Sequence, residues 1–583
     1  MNHVTVTQQR KPEENRVSEK ENRRLAELHK VFSAKDGETR KVQLLHPFSV
    51  TSRASHSASI LPPLSLAYLA STLREAGYPV GIIEAQGDGI FDFRLSDCGL
   101  YNVQGLTTEQ VLERIEPETH ILGISLMFTY EWLIQRELIK AIKSQFPALI
   151  IVAGGEHPTA LPEYVLRDCP EIDFIVAGEG EFTFLELISN IYNSQDHCLS
   201  PGISYLDDKN QFISNGLSNR IAHVDDLPRP AWDLCNIENY LQPNWSMGIG
   251  FGRNMPIIAT RGCPYQCTFC SNPTMWTTRY IMRDPIDVAD EFEQLVKVYG
   301  ANNIDFVDLT AIVRKDWTLR FCAELKRRKL TVPWQLPSGT RSEALDEEVL
   351  QNLYDTGCRL VNYAPESASE KTLREIKKKL KIDRVIESIR TANRVGLTTK
   401  FNIVIGFPDD TLTDILKSAW FLFKMAINGS EDCVVSIFSP YPGSELYRRL
   451  RSENKIPPPD DDYIHSLAGF KDFTQMNSYC NHVGPKPLML LCIAMHTLFY
   501  STAYLTHPKR IIRVLCNLVK KRFKPSNVFE QRLYDVFIRE KHYFAKSSTY
   551  LSAKASASRL LKKPSVMQIM KQKLEKMEDV EKC

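Results

Sequence analysis

Three cysteines in one short stretch constrain this chain more than any other feature of its sequence. Cys263, Cys267 and Cys270 stand at the spacing C-x3-C-x2-C, directly after the apolar run Pro256 to Ala259. Thiolates are the soft ligands that iron–sulfur clusters prefer, and a 4Fe–4S cubane normally takes four of them. Because a local fourth cysteine is missing, one iron of such a cluster would stay open to a ligand that is not protein.

A zinc site and a chance grouping of buried cysteines are the alternatives for this loop. Zinc sites usually combine C-x2-C pairs or Cys/His sets with a fourth ligand. No matching second pair follows the three cysteines. The number of available ligands therefore favours the cluster.

Length and charge limit the remaining possibilities. With 583 residues, 43% of them apolar, the chain is too long for one ordinary core, and three to four structural units are expected. A formal net charge of +2 gives no global signature of nucleic-acid binding. The other eleven of the 14 cysteines are scattered, and no signal peptide is recognised. These features predict a reducing, cytoplasmic environment.

The first half of the chain alternates apolar strands with helical stretches. A helix is predicted to begin at Leu61-Pro62-Pro63-Leu64 and to end near Gly77. Such alternation predicts an α/β fold, here a doubly wound, Rossmann-like parallel sheet spanning 41–195. The predicted strands are 42–45, 80–83, 121–125, 149–153 and 174–177.

Glycine-rich turns follow two of these strands, at 154–158 and 178–181. Glycines at the carboxyl ends of parallel strands mark places where a ligand can approach the backbone. His157, in the first turn, either contacts such a ligand or is an ordinary loop histidine. The candidate cofactor-binding residues of this half are Ser125, Gly154, Gly155, His157, Gly178 and Glu179.

The second half, 256–455, contains six further strand–helix repeats. Six repeats in about 200 residues suit a partial, open (β/α)6 barrel, shorter than the roughly 250 residues of a complete eight-fold one. Sites in such barrels lie at the carboxyl ends of the strands, where the cysteine loop also falls. By the same rule Asp308, Arg341, Glu366 and Gly406 are candidate cofactor-binding residues.

The cysteine spacing, with Phe269 before the third cysteine, resembles the radical S-adenosylmethionine superfamily. The resemblance implies that S-adenosylmethionine chelates the open iron and is cleaved to a 5′-deoxyadenosyl radical. It also implies that Asp308, Glu366 and Gly406 lie near this cofactor, and Arg341 could bind its carboxylate through two hydrogen bonds. The family usually has a pair of acidic residues at the position of Asp308, whereas Leu309 and Thr310 follow it here.

The first half resembles the cobalamin-binding domain found ahead of many enzymes of this superfamily. The Pro-Pro-Leu helix entry and the turns at 154–158 and 178–181 carry the resemblance. The motif Asp-x-His-x-x-Gly, which supplies a lower ligand to cobalt, is absent. The domain is therefore expected to bind cobalamin without that histidine, or to act only as a scaffold for the barrel.

The remaining segments carry weaker signals. The sequence predicts a disordered tail at 1–40, a connector at 196–255, a helical C-terminal domain at 456–545 and a mobile polar tail at 546–583. The apolar stretch 488–505 is diluted by His496 and hydroxyl residues, which argues against a membrane span. The stretch 509–523 predicts a basic amphipathic helix that packs with a solvated basic edge, covers the barrel or lies on an anionic membrane.

These signals together indicate a cobalamin-dependent radical S-adenosylmethionine enzyme of class B methyltransferase type. The first hypothesis for its reaction is methylation of an unactivated carbon. The alternatives are a radical cyclisation, oxidation or rearrangement, as in the anaerobic oxidative cyclase of bacteriochlorophyll synthesis, and a non-catalytic cofactor-binding sensor. The resemblance implies a flavodoxin- or ferredoxin-like reductant. The sequence favours a small, lipid-like or otherwise hydrophobic substrate, and it assigns no catalytic side chain.

Overall fold

The computed structural model describes residues 32–35, 37–52, 60–195, 199–242, 246–470, 477–520, 525 and 527–534. The predicted tail at 546–583 lies outside the described residues, as does most of the predicted tail at 1–40. The described chain forms two large sheets, of seven and six strands, and two small ones, of three and two strands, followed by C-terminal helices.

The first part of the chain alternates strands and helices as the sequence predicts. Its strands are β1 Lys41–His46, β2 Ser49–Ser52, β3 Val80–Glu84, β4 Phe93–Leu95, β5 Tyr101–Gln104, β6 Thr119–Ser125, β7 Ile150–Gly154, β8 Phe174–Val176, β9 Ile203–Leu206 and β10 Phe212–Ser214. Its helices are α1 Leu64–Glu75, α2 Ala85–Asp88, α3 Thr108–Leu112, α4 Trp132–Gln145, α5 Glu156–Ala160, α6 Pro162–Asp168, α7 Gly180–Tyr192 and α8 Glu238–Leu241.

Seven strands form the first sheet in the order β10-β9-β8-β7-β6-β1-β3. The five strands β1, β3, β6, β7 and β8 are mutually parallel, and their order is that of a doubly wound fold whose strand order reverses beside β1. Ligands bind at such a reversal, outside the carboxyl ends of the strands. The fold prediction is confirmed, but β9 and β10 extend this sheet into the range predicted as a connector.

A second, three-stranded antiparallel sheet in the order β2-β5-β4 is a feature that the sequence does not predict. Its strands are three or four residues long, and β4 has an exposed, intermediate, exposed burial pattern. Strands this short carry too few alternations to be recognised by their periodicity. The sheet follows β1 directly and so lies at the end of the first sheet where a ligand would bind.

The second part of the chain forms the predicted barrel. Its strands are β11 Asn254–Ile257, β12 Thr260–Arg261, β13 Ile281–Met282, β14 Asn303–Phe306, β15 Trp334–Thr340, β16 Cys358–Glu366, β17 Thr398–Ile405 and β18 Asp432–Ile437. Its helices are α9 Asn272–Trp276, α10 Pro285–Lys297, α11 Lys315–Arg328, α12 Glu347–Asp355, α13 Glu370–Glu375, α14 Ile382–Val395, α15 Leu412–Ile427 and α16 Glu445–Ser452.

Six parallel strands make the barrel sheet in the sequential order β11-β14-β15-β16-β17-β18. Its core includes a cluster of aromatic rings, in which Phe306 lies 5.2 Å from Trp334 and 5.6 Å from Phe321 between ring centroids. The sheet ends at β11 and β18, which do not pair with each other. The prediction of an open, six-stranded barrel is confirmed.

The C-terminal helices are α17 Asp461–Ser466, α18 Pro485–Thr506, α19 Lys509–Lys520 and α20 Val528–Tyr534. Tyr463 and Ile464 of α17 pack in the same hydrophobic core as Trp132 of the first domain. Helix α17 therefore connects the C-terminal region to the first domain. Within the described ranges α18, with 22 residues, is the one helix with the length and composition of a membrane span. One face of α18 is buried against the barrel, at Leu488, Cys492, Met495, Phe499 and Ala503.

Candidate active site

The cysteine loop leaves the barrel sheet through the short ladder β12–β13, in which Arg261 pairs with Ile281. Main-chain hydrogen bonds fix the loop from the opposite side. The amide of Thr268 donates to the carbonyl of Ile376 at 3.1 Å, and the amide of Leu446 donates to the carbonyl of Thr268 at 2.8 Å. The loop is therefore fixed by backbone contacts from three separate parts of the barrel.

The three cysteines are free and partly exposed at the mouth of the barrel. Burial raises the pKa of Cys270 to about 12 and also raises the pKa of Cys267, so metal binding has to displace their protons. No three His, Cys, Asp or Glu side chains in the described ranges lie close enough to share a single metal ion. A zinc ion needs its sulfurs at about 2.3 Å, whereas a cubane distributes them over three irons.

Asp308, at the end of β14, is buried and fully engaged with the strand that leads to the cysteine loop. Its carboxylate accepts hydrogen bonds from the amide of Ala259 at 3.0 Å and the hydroxyl of Thr260 at 2.5 Å. Burial raises the pKa of Asp308 to about 6. The side chain thus anchors the base of the loop, and its predicted contact with S-adenosylmethionine stays a prediction.

Arg341 lies just past β15 and stacks on Tyr265 of the cysteine loop, with its guanidinium carbon 3.9 Å from the ring centroid. Its Nη2 donates to Glu343 at 2.8 Å and to the carbonyl of Lys379. Its Nε and Nη1 are buried and have no hydrogen-bond partner in the described structure. Leaving buried donors unpaired is expensive, so an anionic group is expected to meet them when the site is loaded.

Glu366 ends β16 in the left-handed region, with φ of 65°, an uncommon conformation for a residue with a side chain. Its carboxylate pairs with the Lys378 ammonium at 3.0 Å. Burial is the largest single influence on Lys378 and lowers its pKa, but the charges of Glu366 and Cys267 and the hydrogen bond to Glu366 together outweigh it, and the net effect is a raised pKa. Such strained backbone persists mostly at functional sites. Lys378 also lies in the field of Cys267, a neighbour that the sequence analysis missed.

Gly406 has a left-handed φ of 80°, and its amide donates to Asp410 at 3.0 Å. A Cβ atom at Gly406 would lie 2.8 Å from a methyl carbon of Leu488 on α18. The open side of this glycine is therefore filled by the C-terminal helix. Its predicted closeness to the adenosine stays a prediction.

A cavity of about 160 Å³ opens at the carboxyl ends of β6, β7 and β8 in the first domain. Small residues form its floor, including Ser125, Gly154 and Gly178, which the sequence analysis had assigned to a cofactor. Its walls come from Leu66 and Leu69 of α1 and from other apolar side chains. The lining is mainly apolar, and its charged members are Glu179, Glu181 and Arg261.

Gly123 in β6 keeps this cavity open, and the sequence analysis missed it. A Cβ atom there would lie 2.9 Å from a methyl carbon of Leu44 and 3.0 Å from the ring of Phe184. Gly155 also lines the cavity and has φ of 117°, and an added Cβ would lie 2.5 Å from the carbonyl oxygen of Leu126. A glycine inside a strand is a usual sign that something approaches the backbone closely.

The barrel supplies one wall of the same cavity. Arg261, two residues before Cys263, lines it, as do Met275 and Trp276 just after Cys270. Arg261 is buried and binds both Glu179, at 3.3 Å, and Glu181 of the first domain. The cavity and the cysteine loop are therefore direct neighbours, held together by buried charges.

Glu179 has no free oxygen for a cofactor in this arrangement. Its carboxylate accepts hydrogen bonds from Nε of Arg220 at 2.9 Å and from the amide of Ile221 at 2.7 Å, in addition to Arg261. The structure therefore gives Glu179 the position of a link between domains, although it does line the cavity. Arg220 and Arg261 are separated from it by 41 and 82 positions, so no local sequence pattern predicts this network.

His157 is buried, 1% exposed, and is not among the residues that line the cavity. Its Nδ1 lies 3.2 Å from the hydroxyl of Thr129, and its ring packs at 5.0 Å from that of Trp132. Burial lowers its pKa to about 3, so the imidazole is neutral. These contacts favour the alternative of an ordinary packed histidine, and its contact with a cofactor stays a prediction.

Arg283 belongs to a buried ion network rather than to the site. Its guanidinium binds Glu291 at 2.7 Å, and Asp287 and Asp225 as well. Arg279 offers its carbonyl to Arg220 at 3.1 Å. Both arginines thus hold the segment that follows the cysteine loop in place.

Comparison with known proteins agrees with this two-part site. The profile of the Radical SAM superfamily matches residues 257–422, and that of the B12 binding domain matches residues 51–188. An uncharacterized methyltransferase of Pyrococcus horikoshii is 30% identical over 68% of this chain and 80% of its own length. An anaerobic magnesium-protoporphyrin IX monomethyl ester cyclase of Rubrivivax gelatinosus is 27% identical over 71% of each chain.

Among solved structures, the cobalamin-dependent S-adenosylmethionine radical enzyme OxsB, with aqua-cobalamin and S-adenosylmethionine bound, superposes with a TM-score of 0.59. The match covers 87% of this chain and 76% of that one at 16% identity, so it bears on the fold alone. Fold, cysteine loop and cavity define a protein that holds two cofactors side by side. The chain belongs to the radical S-adenosylmethionine enzymes that carry a B12-binding domain.

Membership of this family makes the chain an enzyme that uses a 4Fe–4S cluster, S-adenosylmethionine and cobalamin. The residues present fit all three groups. The triad offers three thiols to a cluster, Arg341 offers two unpaired donors to a carboxylate, and the cavity is kept open by Gly123.

Proposed function

We propose that the enzyme transfers a methyl group to an unactivated carbon of a small hydrophobic molecule. The observation that carries the proposal is the wall shared by the cavity and the cysteine loop, formed by Arg261, Met275 and Trp276. When bound, the cluster with S-adenosylmethionine supplies a radical on the substrate carbon, and cobalamin supplies the methyl group. A shared wall brings these two sources close enough to act on one substrate.

The chain's own residues have positioning roles in this proposal. Cys263, Cys267 and Cys270 bind the cluster, and Arg341 with Glu366 and Lys378 holds the polar end of S-adenosylmethionine. Ser125, Gly154, Gly155 and Gly178 shape the space for the cobalamin tail. Arg261 with Glu179 and Glu181 fixes the distance between the two sites, because a buried guanidinium between two carboxylates tolerates little displacement.

The likeness to relatives named as methyltransferases and as cyclases leaves two chemical outcomes to separate. The alternative is a radical cyclisation or oxidation, in which the same radical forms but no methyl group is transferred. In both cases the substrate is a small molecule, the reductant is a flavodoxin- or ferredoxin-like protein, and the enzyme works in the cytoplasm. The proposed division of the chain is a cobalamin-binding domain, a barrel and a helical C-terminal domain.

The test uses the full chain, reconstituted anaerobically, with S-adenosylmethionine that carries a deuterated methyl group and a panel of hydrophobic extracts. Mass spectrometry then follows 5′-deoxyadenosine and labelled products. Methyl transfer predicts a product that gains the labelled methyl group in step with 5′-deoxyadenosine. Substrate-dependent 5′-deoxyadenosine with an unlabelled product would refute methyl transfer and establish the alternative.

A further inference from the structure

Helix α19 exposes apolar residues and turns Arg510 into the protein, whereas the sequence predicts a solvated basic edge. Ile511, Ile512 and Leu515 are 40%, 61% and 55% exposed. Arg510 is only 6% exposed and donates to the carbonyls of Gly429 at 2.7 Å and Ser430 at 3.0 Å. A helix on the surface of a soluble protein normally exposes its polar side to water.

The preceding helix, α18, has a comparable exposed side. Of its 22 residues, Lys486 alone carries a charge. While one side packs on the barrel, Leu490, Ile493, Leu498 and Leu505 are 62%, 45%, 37% and 76% exposed. The outward side of α18 is therefore uncharged along its whole length after Lys486.

Helix α15 repeats the pattern next to α18. Leu412, Leu416 and Trp420, one turn apart, are 51%, 51% and 56% exposed, and Ile427 at the end of the helix is 45% exposed. The ammonium of Lys424 lies 5.4 Å from the centre of the Trp420 ring. Tryptophan beside a long basic side chain is typical of the interface between membrane and water.

The three helices are neighbours. The ring of Phe401 in β17 contacts Phe421 of α15 at 5.5 Å and Phe499 of α18 at 5.4 Å between centroids. The bonds from Arg510 to Gly429 and Ser430 bring the start of α19 to the end of α15. Together the exposed apolar residues form a surface that we name the apolar face: Leu412, Leu416, Trp420, Ile427, Leu490, Ile493, Leu498, Leu505, Ile511, Ile512 and Leu515.

The apolar face holds 11 of the 22 large hydrophobic side chains that are exposed among the described residues. Soluble monomers rarely expose apolar residues in such concentration without a partner. Among the described side chains of the three helices, the exposed charged ones are all lysines: Lys417, Lys424, Lys486 and Lys509. Asp414, the acidic residue of the three helices, is buried in the cap of α15.

We propose that the apolar face docks on an anionic lipid bilayer, with α15, α18 and α19 lying in its surface. Apolar side chains enter the boundary between headgroups and acyl chains, and the lysines meet lipid phosphates. The arginines of α19 stay in the protein. This proposal is independent of the reaction, because the apolar face shares no residue with the cavity or the cysteine loop.

Two other occupants fit the observations less well. In a two-fold dimer, the apolar face of one copy would pack against the apolar face of the other. The lysines of the two copies would then lie close together and repel each other. If α18 crossed a membrane, it would have to give up its contacts with the barrel. Its Phe499 is packed on Phe401, and the hydroxyl of its Tyr500 donates to Asp432 at 2.5 Å.

The test is flotation of the full-length, reconstituted protein with vesicles, either of phosphatidylcholine alone or of phosphatidylcholine with an equal share of phosphatidylglycerol. We expect binding to the anionic vesicles, reduced by high salt because charge attraction is screened. The double variant Trp420→Gln/Ile512→Gln should bind about tenfold more weakly or less, because two apolar side chains no longer leave water. Lys417→Gln/Lys424→Gln should abolish most of the preference for anionic vesicles.

The matched control is Ile286→Gln/Val298→Gln, which changes two apolar residues, 49% and 66% exposed, that lie outside the apolar face at the start of α10 and directly after its end. It should bind as the unchanged protein does. All altered side chains are exposed, so thermal unfolding and cofactor content should stay constant. The proposal is overturned if the unchanged protein does not float, or if the Trp420 and Ile512 variant floats equally well. It is also overturned if sedimentation shows a dimer that this variant dissolves while vesicles bind neither protein.

Discussion

The cavity of the first domain and the mouth of the barrel share Arg261, yet the residues that line them differ in chemistry. The cavity has a floor of glycine and serine and apolar walls. The barrel mouth has three thiols, the Glu366–Lys378 pair and an arginine with unpaired donors. The first can select a cofactor by shape, while the second selects by charge and by metal–sulfur bonds. We therefore expect the two sites to bind their cofactors independently of each other.

The largest effect is expected from Cys267→Ala. Removing one of three thiolates should take the iron content of the reconstituted protein from about four per chain to near zero, with loss of 5′-deoxyadenosine formation. Corrin content should stay near one per chain, because the cavity does not include Cys267. Cys358→Ala, which alters a buried cysteine of the barrel core, is the matched control for iron. Loss of corrin together with iron would contradict independent loading.

The converse prediction concerns Gly123→Val. The added carbons would occupy the space beside Leu44 and Phe184, so corrin content should fall at least about tenfold while iron content is retained. Gly81→Val is the control, since it lies in β3 of the same sheet and its nearest neighbour is the flexible end of Lys41 at 3.1 Å. Normal corrin binding by the Gly123 variant would show that the cofactor tail lies elsewhere.

A smaller effect is expected from Arg341→Lys. Lysine keeps the charge but lacks the two donors, Nε and Nη1, that are unpaired in the structure. Because hydrogen bonds to charged groups contribute about 1.5–3 kcal/mol, the Kd for S-adenosylmethionine should rise roughly 10- to 100-fold. Equilibrium dialysis measures it, and Arg359→Lys, which stacks on Tyr354 instead, is the control. An unchanged Kd would show that Arg341 does not bind S-adenosylmethionine.

The smallest effect is expected at the boundary between the two sites. Arg261→Lys keeps a positive charge between Glu179 and Glu181 but loses the fork that reaches both. We expect a cost of about 1–2 kcal/mol in stability, seen as a thermal midpoint a few degrees lower. Arg314→Lys, whose exposed pair with Asp316 contributes little, is the control. Equal midpoints for both variants would mean that the boundary network does not hold the domains together.

Local patterns in the sequence account for much of the architecture. Apolar runs and glycine turns predict the parallel strands of the two large sheets, and the cysteine spacing predicts the cluster loop. The contacts that join the parts are not local. Glu179 pairs with Arg261 across 82 positions, and the space beside Gly406 is filled by Leu488. Helix periodicity finds the two sides of α19, but only the tertiary structure shows that Arg510 lies inside and Ile512 outside.

The cofactor content of the anaerobically reconstituted protein shows whether the cavity and the cysteine loop hold two separate cofactors. Iron, sulfide and corrin would be measured together with the absorption spectrum, in the unchanged protein and in the Cys267 and Gly123 variants. We expect about four irons and one corrin per chain, with iron lost in the Cys267 variant alone and corrin lost in the Gly123 variant alone. Iron without any corrin in the unchanged protein would contradict this expectation, because the cavity of the first domain would then be a scaffold.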